Sequence, residues 1–308
     1  MIDILLAAYN GGHFLKEQLD SLLKTAVGDA RVLVQDDGSS DDTVEILHAY
    51  QNAHPDVIRI VTGPDHEKSA KGNFMSLLLA SDGDYLFFSD QDDVWAPDKV
   101  SASMQRMREG EAQYGKDCPL LVHTDLAVVD AALTPIASSF WKYQKLDPQP
   151  TLARLLAQNS ITGCATLINR PLADLMKLGS PQDMLMHDWW AALCAASMGH
   201  ILTVDKPLIQ YRQHGSNQLG ATGFDPKRDV KRAAQDGASI QKRLHDTMAQ
   251  AKAFCTCYES MMPEKVWHLV FRYASLPLYK KPLRQLMLLR HGYLKKGILR
   301  ALGQLYYI

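Results

Sequence analysis

Short apolar segments alternate with segments of helical periodicity over the first hundred residues, and this alternation limits the folds open to the chain. Apolar runs predict strands at 2–8, 31–35, 57–61 and 84–88, and helical patterns predict helices at 14–24, 41–51 and 72–81. Strands separated by helices are typical of βα units around a mostly parallel sheet. We therefore expect an α/β protein whose chemistry lies where strands end.

The second half continues the sheet and ends in helices. Strands are predicted at 120–125 and 165–169, a helix at 186–198, and a final strand pair at 201–204 and 208–211. Past residue 223 the sequence is helical and increasingly basic. A chain of 308 residues is long enough for one large domain with an appendage, since single cores seldom exceed about 300 residues.

Composition excludes several classes of protein. Apolar residues make up 46% and charged residues 22% of the chain, with a net charge of -1, which is typical of a globular protein rather than a disordered or generally nucleic-acid-coating one. The cysteines lack the paired spacing of zinc sites, so we expect reduced thiols in a cytosolic protein; they are Cys118, Cys164, Cys194, Cys255 and Cys257. Neither a signal peptide nor a membrane-spanning segment is expected.

Four polar clusters follow predicted strands or open a helix. They are AAYNGG at 7–12, QDDGSSDDT at 35–43, SDQDDVW at 89–95 and MHDWW at 186–190. Taken singly, each is compatible with an ordinary turn or helix cap. In SDQDDVW, however, three aspartates stand in four positions, and their repulsion is relieved if they face a cation. Mg²⁺ and Mn²⁺ take such oxygen ligands and leave positions for substrate phosphates.

The four motifs, in this order, resemble those of family 2 glycosyltransferases of the GT-A fold. The resemblance covers about residues 1–220, and SDQDDVW together with QYRQHGSN at 210–217 resembles the bacterial rhamnosyltransferase-like branch that builds surface polysaccharides such as O-antigen and capsule. It implies a GT-A catalytic domain over 1–222, with a nucleotide-sugar half at 1–100 and an acceptor half at 101–222. Residues 223–308 would form a helical, basic C-terminal extension.

The resemblance also implies roles for individual residues at the donor site. Asp36 would accept a hydrogen bond from N3-H of uracil or thymine, a proton that cytosine lacks. A capping role for Asn73 and an internal ion pair for Arg212 remain open alternatives. The implied nucleotide-binding residues are Ala8, Tyr9, Asn10, Asp36, Lys71, Asn73, Asp90 and Arg212.

Metal and acceptor sites follow from the same resemblance. Asp92 and His214 would ligate Mn²⁺ or Mg²⁺, and Asp188 would act as general base in an inverting transfer. For His214, a solvated histidine in a polar loop remains the open alternative. Asp188 is also a plausible cap for the helix that follows it. On the acceptor side the resemblance places Gly163, Trp189 and Trp190.

The predicted function is transfer of a sugar from a UDP- or dTDP-sugar, with dTDP-L-rhamnose suggested by the branch, to a hydroxyl of a glycan or lipid-linked acceptor. Two alternatives stay open. A nucleotidyltransferase usually has a basic phosphate loop near its N-terminus, which AAYNGGHFL lacks. A catalytically silent nucleotide-sugar-binding scaffold would be expected to lose Asp92 or Asp188, and the chain retains both.

The last 45 residues carry an unusual charge pattern. Residues 264–308 contain nine Lys or Arg and one acid, Glu264, interleaved with leucines. This pattern is suited to helices on an anionic membrane surface, although helices packed on the catalytic domain with a solvated basic face would look similar. We expect a cytoplasmic protein, peripheral at the inner face of the cell membrane.

Overall fold

A computed structural model describes residues 1–25, 28–63, 68–215 and 236–308. Its first seven elements are β1 (Ile2–Ala8), α1 (Gly12–Thr25), β2 (Ala30–Asp36), α2 (Thr43–Ala53), β3 (Ile58–Ile60), α3 (Ala70–Ala80) and β4 (Tyr85–Ser89). Every predicted strand and helix of this half is present, and the boundaries differ by no more than two residues. Hydrophobic periodicity alone was sufficient to locate them.

The remaining elements complete the sheet and add a helical layer. They are β5 (Val94–Trp95), α4 (Lys99–Tyr114), β6 (Leu120–Val129), β7 (Pro135–Ala137), α5 (Phe140–Gln144), α6 (Leu152–Ala157), β8 (Thr166–Asn169), α7 (Arg170–Met176), α8 (His187–Met198), β9 (His200–Arg212), α9 (Gly237–Cys257), α10 (Glu264–Ala274), α11 (Lys281–His291) and α12 (Ile298–Tyr307). Short 3₁₀ turns lie at Gly163–Ala165, Pro181–Asp183 and Leu276–Leu278.

One mixed sheet runs through the molecule in the order β3-β2-β1-β4-β8-β6-β9-β5, with β7 paired to β6. The strands β3, β2, β1 and β4 are mutually parallel. Beyond them β8 is antiparallel to both β4 and β6, and β9 is parallel to β6. The α/β class is confirmed, while the expected parallel arrangement describes residues 1–100 better than the second half of the chain.

The final strand pair predicted at 201–204 and 208–211 is wrong, because both segments belong to the single strand β9. This strand pairs with β6 along its whole length, but the register shifts between Thr124↔Val204 and Asp125↔Pro207. The extra residues on β9 form a bulge, which leaves two residues unpaired without ending the strand. Polar residues and a proline at this point resemble a turn in the sequence.

Helices α9 to α12 join the body of the molecule rather than standing apart from it, and α9 and α10 pack against α6. Tyr258, Tyr273, Leu288 and Tyr293 are completely buried and belong to the same core cluster as Trp190. A second cluster fills the opposite face of the sheet, beneath α1, α2 and α4. The predicted domain boundary at 222/223 lies outside the described residues. Among the residues described, no helix is both long and apolar enough to cross a membrane.

Candidate active site

The polar motifs meet at one edge of the sheet because their strands are parallel. Ala8 at the end of β1 pairs with Asp36 at the end of β2, and the neighbouring strand β4 ends at Ser89. The backbone N–H of Asp37 donates to the carbonyl of Ala8 at 2.9 Å. Three motifs that stand far apart in the sequence therefore form one surface.

Gln91 joins the loop after β4 to the loop after β1. Its side-chain Oε1 accepts a hydrogen bond from the backbone N–H of Tyr9, and its Nε2 donates to the carbonyl of Tyr9, both at 2.8 Å. A Cβ at Gly11 would lie 2.1 Å from Gln91 Oε1, so this approach requires glycine. The sequence placed Gln91 inside the acidic motif without indicating this role.

The loop after β1 is also tied to the acidic turn after β2. Asn10 adopts a left-handed conformation (φ 48°), donates its backbone N–H to Ser39 Oγ and accepts from the backbone N–H of Ser40, each at 2.8 Å. The Asp36 carboxylate accepts from Gly38 and Ser39 within its own turn. Because a carboxylate has about four acceptor positions, these bonds leave room for a ligand N–H.

Tyr9 extends from this framework into solvent. Its side chain is 56% exposed, although the backbone is fixed by the bonds to Gln91. An exposed ring on a fixed backbone offers a flat apolar face to a planar base. The structure thus places the predicted Tyr9 and Asp36 at adjacent strand ends, where one nucleoside could contact both.

A compact group of acids follows β4. Burial, then the nearby Asp92 and Asp188 carboxylates, raise the pKa of Asp90 to about 7. Burial and the same kind of repulsion, from Asp92 and Asp90, raise the pKa of the fully buried Asp93. Asp93 Oδ1 accepts from the backbone N–H of Arg212 at 3.0 Å, whereas its Oδ2 has no hydrogen-bond partner. Such crowding favours binding of positive charge.

Lys99 is a completely buried cation beneath this group. Its Nζ donates to the carbonyl of Cys164 at 2.8 Å and lies 4.2 Å from the centroid of the Trp95 ring. Burial lowers its pKa to about 7, against the opposing effect of Cys164, Asp93 and Asp90. No pattern in the sequence indicates this burial, because a lysine at the start of a helix is ordinarily solvated.

The two predicted metal ligands lie side by side. His214 Nε2 is 2.8 Å from Asp92 Oδ2, and pairing of β5 with β9, through Val94↔Gln210, brings their segments together. Asp90, Asp93 and Cys164 also present potential ligand atoms within 4.8 Å of one another. Burial raises the pKa of the Cys164 thiol, and a protonated thiol is a poor ligand for Mg²⁺ or Mn²⁺.

Arg212 is committed to protein groups. Its guanidinium donates to the carbonyl of Asp92 at 2.7 Å, to the carbonyl of Ala131 at 2.5 Å and to the Glu17 carboxylate. The side chain is 2% exposed. Of the two interpretations that the sequence left open, the internal ion pair describes this geometry, and Arg212 thereby links Glu17 on α1 to the loop that carries Asp92.

Asp188 is the second residue of α8, and the residue at the N-cap position is Met186. The Asp188 carboxylate accepts a hydrogen bond from the backbone N–H of Gly163 at 2.9 Å and another from Asn159 Nδ2 at 3.2 Å. Burial raises its pKa to about 7, because desolvation outweighs these hydrogen bonds. The side chain is therefore held in place and titrates close to neutral pH. Asn159 was not predicted, and no sequence pattern marks it.

Gly163 lies against His187, the residue before Asp188. A Cβ at position 163 would be 2.7 Å from His187 Nε2, so no larger residue fits without a shift. The His187 ring is packed between Phe74 and Phe88, with centroid distances of 4.0 and 4.8 Å, and burial lowers its pKa to about 3. The neutral His187 imidazole and Gly163 thus form the surface next to the Asp188 carboxylate.

The remaining predicted residues differ in how open they are. Trp189 is half-buried and donates to the carbonyl of Leu155 at 2.6 Å, whereas Trp190 is completely buried and donates to the Tyr258 hydroxyl at 2.9 Å. Of the two tryptophans, Trp189 alone offers surface to an acceptor. Lys71 Nζ donates to the carbonyl of Met184 at 3.0 Å, and buried Asn73 donates to the carbonyl of Gln35 at 3.1 Å.

The sequence of the chain is similar to those of known glycosyltransferases. Residues 3–117 match the model of the Glycosyl transferase family 2. The chain is 28% identical over 222 residues to the dTDP-rhamnosyl transferase RfbG of Shigella flexneri, covering 70% of this chain and 74% of that protein. It is 25% identical over 114 residues to the UDP-Glc:alpha-D-GlcNAc-diphosphoundecaprenol beta-1,3-glucosyltransferase WfgD of Escherichia coli, 37% of this chain and 44% of that protein.

Solved structures share the fold at low sequence identity. TarS 1–349 of S. aureus in complex with UDP superposes with a TM-score of 0.55 at 14% identity, covering 97% of this chain and 94% of that one. The mannosyltransferase PcManGT of Pyrobaculum calidifontis, in complex with GDP-Man and Mn²⁺, gives a TM-score of 0.51 at 17% identity, covering 99% and 87%. At these identities the likeness shows the fold alone.

Proposed function

We propose that the chain is a family 2 glycosyltransferase with the GT-A fold, and that it transfers a sugar from a UDP- or dTDP-sugar to an acceptor hydroxyl by a metal-dependent, inverting displacement. The observation that carries this proposal is the Asp188 carboxylate. It is oriented by Gly163 and Asn159, lies close enough to Asp90 to raise the pKa of that residue, and titrates near neutrality. A base of this pKa suits proton abstraction at neutral pH.

The donor nucleotide would bind across the ends of β1, β2 and β4. Tyr9 offers the exposed ring for the base, Asp36 accepts from the base N3-H, and Asp90 meets the ribose. Asn10 and Ala8 supply backbone groups beside the base. Lys71 and Asn73, on α3, would stand at the margin of the nucleotide, and their present hydrogen bonds position the start of that helix.

Asp92 and His214 fit a divalent cation. Their side chains are 2.8 Å apart, and one oxygen and one imidazole donor suit Mn²⁺ well. The adjacent buried Asp93 has a carboxyl oxygen, Oδ2, without a hydrogen-bond partner. When bound, Mn²⁺ or Mg²⁺ would supply positive charge that stabilises the diphosphate of the donor. Arg212, two residues before His214, donates to the Asp92 carbonyl and to Glu17, and so holds the segments that carry Asp92 and His214 next to each other.

In the transfer step, the Asp188 carboxylate takes the proton of the acceptor hydroxyl as that oxygen attacks the anomeric carbon. The bond between the anomeric carbon and the diphosphate oxygen breaks, and the nucleoside diphosphate leaves with the electron pair. Gly163 and Trp189 line the acceptor side, and their contacts with Asp188 and Leu155 fix the wall against which the acceptor would lie. A single displacement inverts the anomeric configuration.

The names of the relatives indicate donor and acceptor classes. RfbG is a dTDP-rhamnosyl transferase, which favours dTDP-L-rhamnose as donor, and WfgD acts on a diphosphoundecaprenol-linked sugar, which favours a lipid-linked acceptor. We therefore place the enzyme in the cytoplasm, working at the anionic inner face of the membrane on bacterial surface polysaccharide such as O-antigen or capsule.

Calorimetry with UDP, dTDP, GDP and CDP, each with and without Mn²⁺, tests the donor site. Metal-dependent binding of UDP or dTDP, with weak binding of CDP, is the expected result. Assays of sugar transfer to lipid-linked acceptors with the matching nucleotide sugars then identify the donor. If no nucleotide binds in the presence of Mn²⁺, the proposed donor site is incorrect.

A further inference from the structure

Helix α12 turns an apolar face towards solvent. Ile298, Leu302 and Tyr306 recur every four residues and are 79%, 57% and 68% exposed, so they form one stripe along the helix. Exposed apolar side chains are ordinary when they occur singly, but a contiguous set indicates an interaction surface.

Hydrogen bonds fix this orientation. The residue of α12 that points inward is polar: Gln304 is 2% exposed, donates to the carbonyl of Tyr293 and accepts from the backbone N–H of Lys295, both at 2.9 Å. Gln285 on α11 donates to the carbonyl of Leu305 at 2.8 Å. Turning the apolar stripe inward would break these bonds, so its exposure is a stable feature of the fold.

Helix α11, which is hydrogen-bonded to α12 through Gln285, also carries exposed leucines. Leu283, Leu286 and Leu289 are 43%, 56% and 56% exposed. Beside them lies a groove of about 290 Å³ with apolar and basic side chains in its lining, which consists of Arg272, Leu283, Leu286, Met287, Arg290 and His291. Together the exposed apolar residues of α11 and α12 and this groove form what we call the α11–α12 surface.

The charge around this surface has one sign. Residues 265–308 contain nine Lys or Arg and no Asp or Glu, although the whole chain has a net charge of -1. Burial and then the neighbouring Arg272 and Arg290 hold the pKa of His291 below its ordinary value. A two-fold interface between copies of the chain would bring these cations against one another, which disfavours self-association.

We propose that the α11–α12 surface docks on a bilayer of anionic phospholipid, with its leucines at the acyl boundary and the phosphate of a lipid headgroup between Arg272 and Arg290. Exposed leucines can enter the acyl layer of such a bilayer, while the arginines beside them meet the phosphates of the headgroup layer above it. The inference deepens the proposed function by locating its membrane partner, and its test requires no sugar transfer.

The experiment is co-sedimentation of the full chain with vesicles of phosphatidylcholine alone, or of equal parts of phosphatidylcholine and phosphatidylglycerol. Deletion of residues 264–308 is unsuitable, because it would remove buried Tyr273 and Leu288 from the core. Point variants serve instead: Leu302→Ser on the surface with Leu178→Ser as control, since both leucines are 57% exposed. For charge, Arg290→Glu is matched by Arg59→Glu, another exposed arginine.

Wild-type protein is expected to sediment with the anionic vesicles and much less with neutral ones. Leu302→Ser and Arg290→Glu should each lower the vesicle-to-buffer partition about fivefold or more, whereas the two controls should match wild type. The proposal is overturned if wild type ignores anionic vesicles, or if surface and control variants behave alike. It is equally overturned if light scattering shows a dimer that Leu302→Ser dissociates while no vesicle binding occurs. Nucleotide binding measured without lipid separates this failure from failure of the donor site.

Discussion

The side-chain amide of Gln91 makes two hydrogen bonds to the backbone of Tyr9. It accepts from the Tyr9 N–H and donates to the Tyr9 carbonyl, at 2.8 Å in each case. Two loops separated by 82 residues are thereby fixed relative to each other. One of them carries the ring that we assign to the nucleotide base, and the other carries the acids that we assign to the ribose and metal. The geometry of the donor site therefore depends on a residue that contacts neither ligand in the proposed mode.

Gln91→Ala should weaken nucleotide binding about tenfold, because it releases two backbone hydrogen bonds, each worth about 1 kcal/mol. Calorimetric titration with UDP or dTDP and Mn²⁺ measures the loss, and Gln105→Ala on the exposed face of α4 is the control. Gly11→Ala should be harmful alone, since its Cβ would lie 2.1 Å from Gln91 Oε1. In the Gln91→Ala background, Gly11→Ala should weaken nucleotide binding little further. If the two losses of affinity add, the proposed contact between positions 11 and 91 is contradicted.

Asp188→Asn should abolish transfer while leaving nucleotide binding intact, since the amide keeps the shape of the side chain but is not a base. The wild-type rate should fall about tenfold per pH unit below pH 7, because burial raises the Asp188 pKa to about 7. Initial rates across pH 5 to about 9, with binding measured in parallel, give the profile. An acid limb centred near pH 4, the usual carboxyl range, would remove Asp188 from the role of base.

The same burial predicts that Asp188→Asn stabilises the fold at alkaline pH. A carboxyl whose pKa is raised on folding holds its proton more tightly in the native state, so native stability falls as pH rises from the ordinary carboxyl pKa of 3.8 through about 7. At pH 8 the Asn variant should gain on the order of 1 kcal/mol, and the difference should shrink towards pH 5. Thermal denaturation at several pH values measures it; a variant less stable than wild type at pH 8 would contradict the argument.

Asp92→Ala and His214→Ala should each reduce the Mn²⁺-dependent part of nucleotide binding at least about tenfold, because each removes one proposed ligand. The double variant should lose little more than either single one, as is expected of two groups that act on one ion. Asp56→Ala, an exposed aspartate before β3, is the control. Full Mn²⁺ dependence in either single variant would shift the metal site towards Asp90 and Asp93.

Tyr258→Phe tests whether the C-terminal helices belong to the catalytic core. The Tyr258 hydroxyl accepts from Trp190 Nε1 at 2.9 Å and donates to the carbonyl of Leu175 at 2.8 Å. Its removal leaves both groups buried without that partner and should cost about 1–3 kcal/mol. Urea denaturation against the exposed control Tyr306→Phe measures the difference, and equal stability of the two variants would argue that α9 packs loosely.

The first four strands, the three helices between them and the α/β class could be predicted from the sequence, because hydrophobic periodicity reports local structure directly. The four motifs were recognised in the sequence by their resemblance to family 2 glycosyltransferases, and the roles that this resemblance implies for Asp36, Asp92 and Asp188 remain predictions. The sequence did not reveal the register shift in β9, because an unpaired bulge and a turn use the same residue types.

Tertiary structure alone decided which distant residues meet. Gln91 reaches Tyr9, Asn159 reaches Asp188, and Lys99 is buried beneath the acids, although no local pattern distinguishes these side chains from solvated ones. It also decided which residues of the C-terminal helices enter the core: Tyr273 and Leu288 are buried, whereas Ile298 stays exposed. Pairings of this kind depend on strand order and helix packing, which arise from contacts across the whole chain rather than from neighbours in sequence.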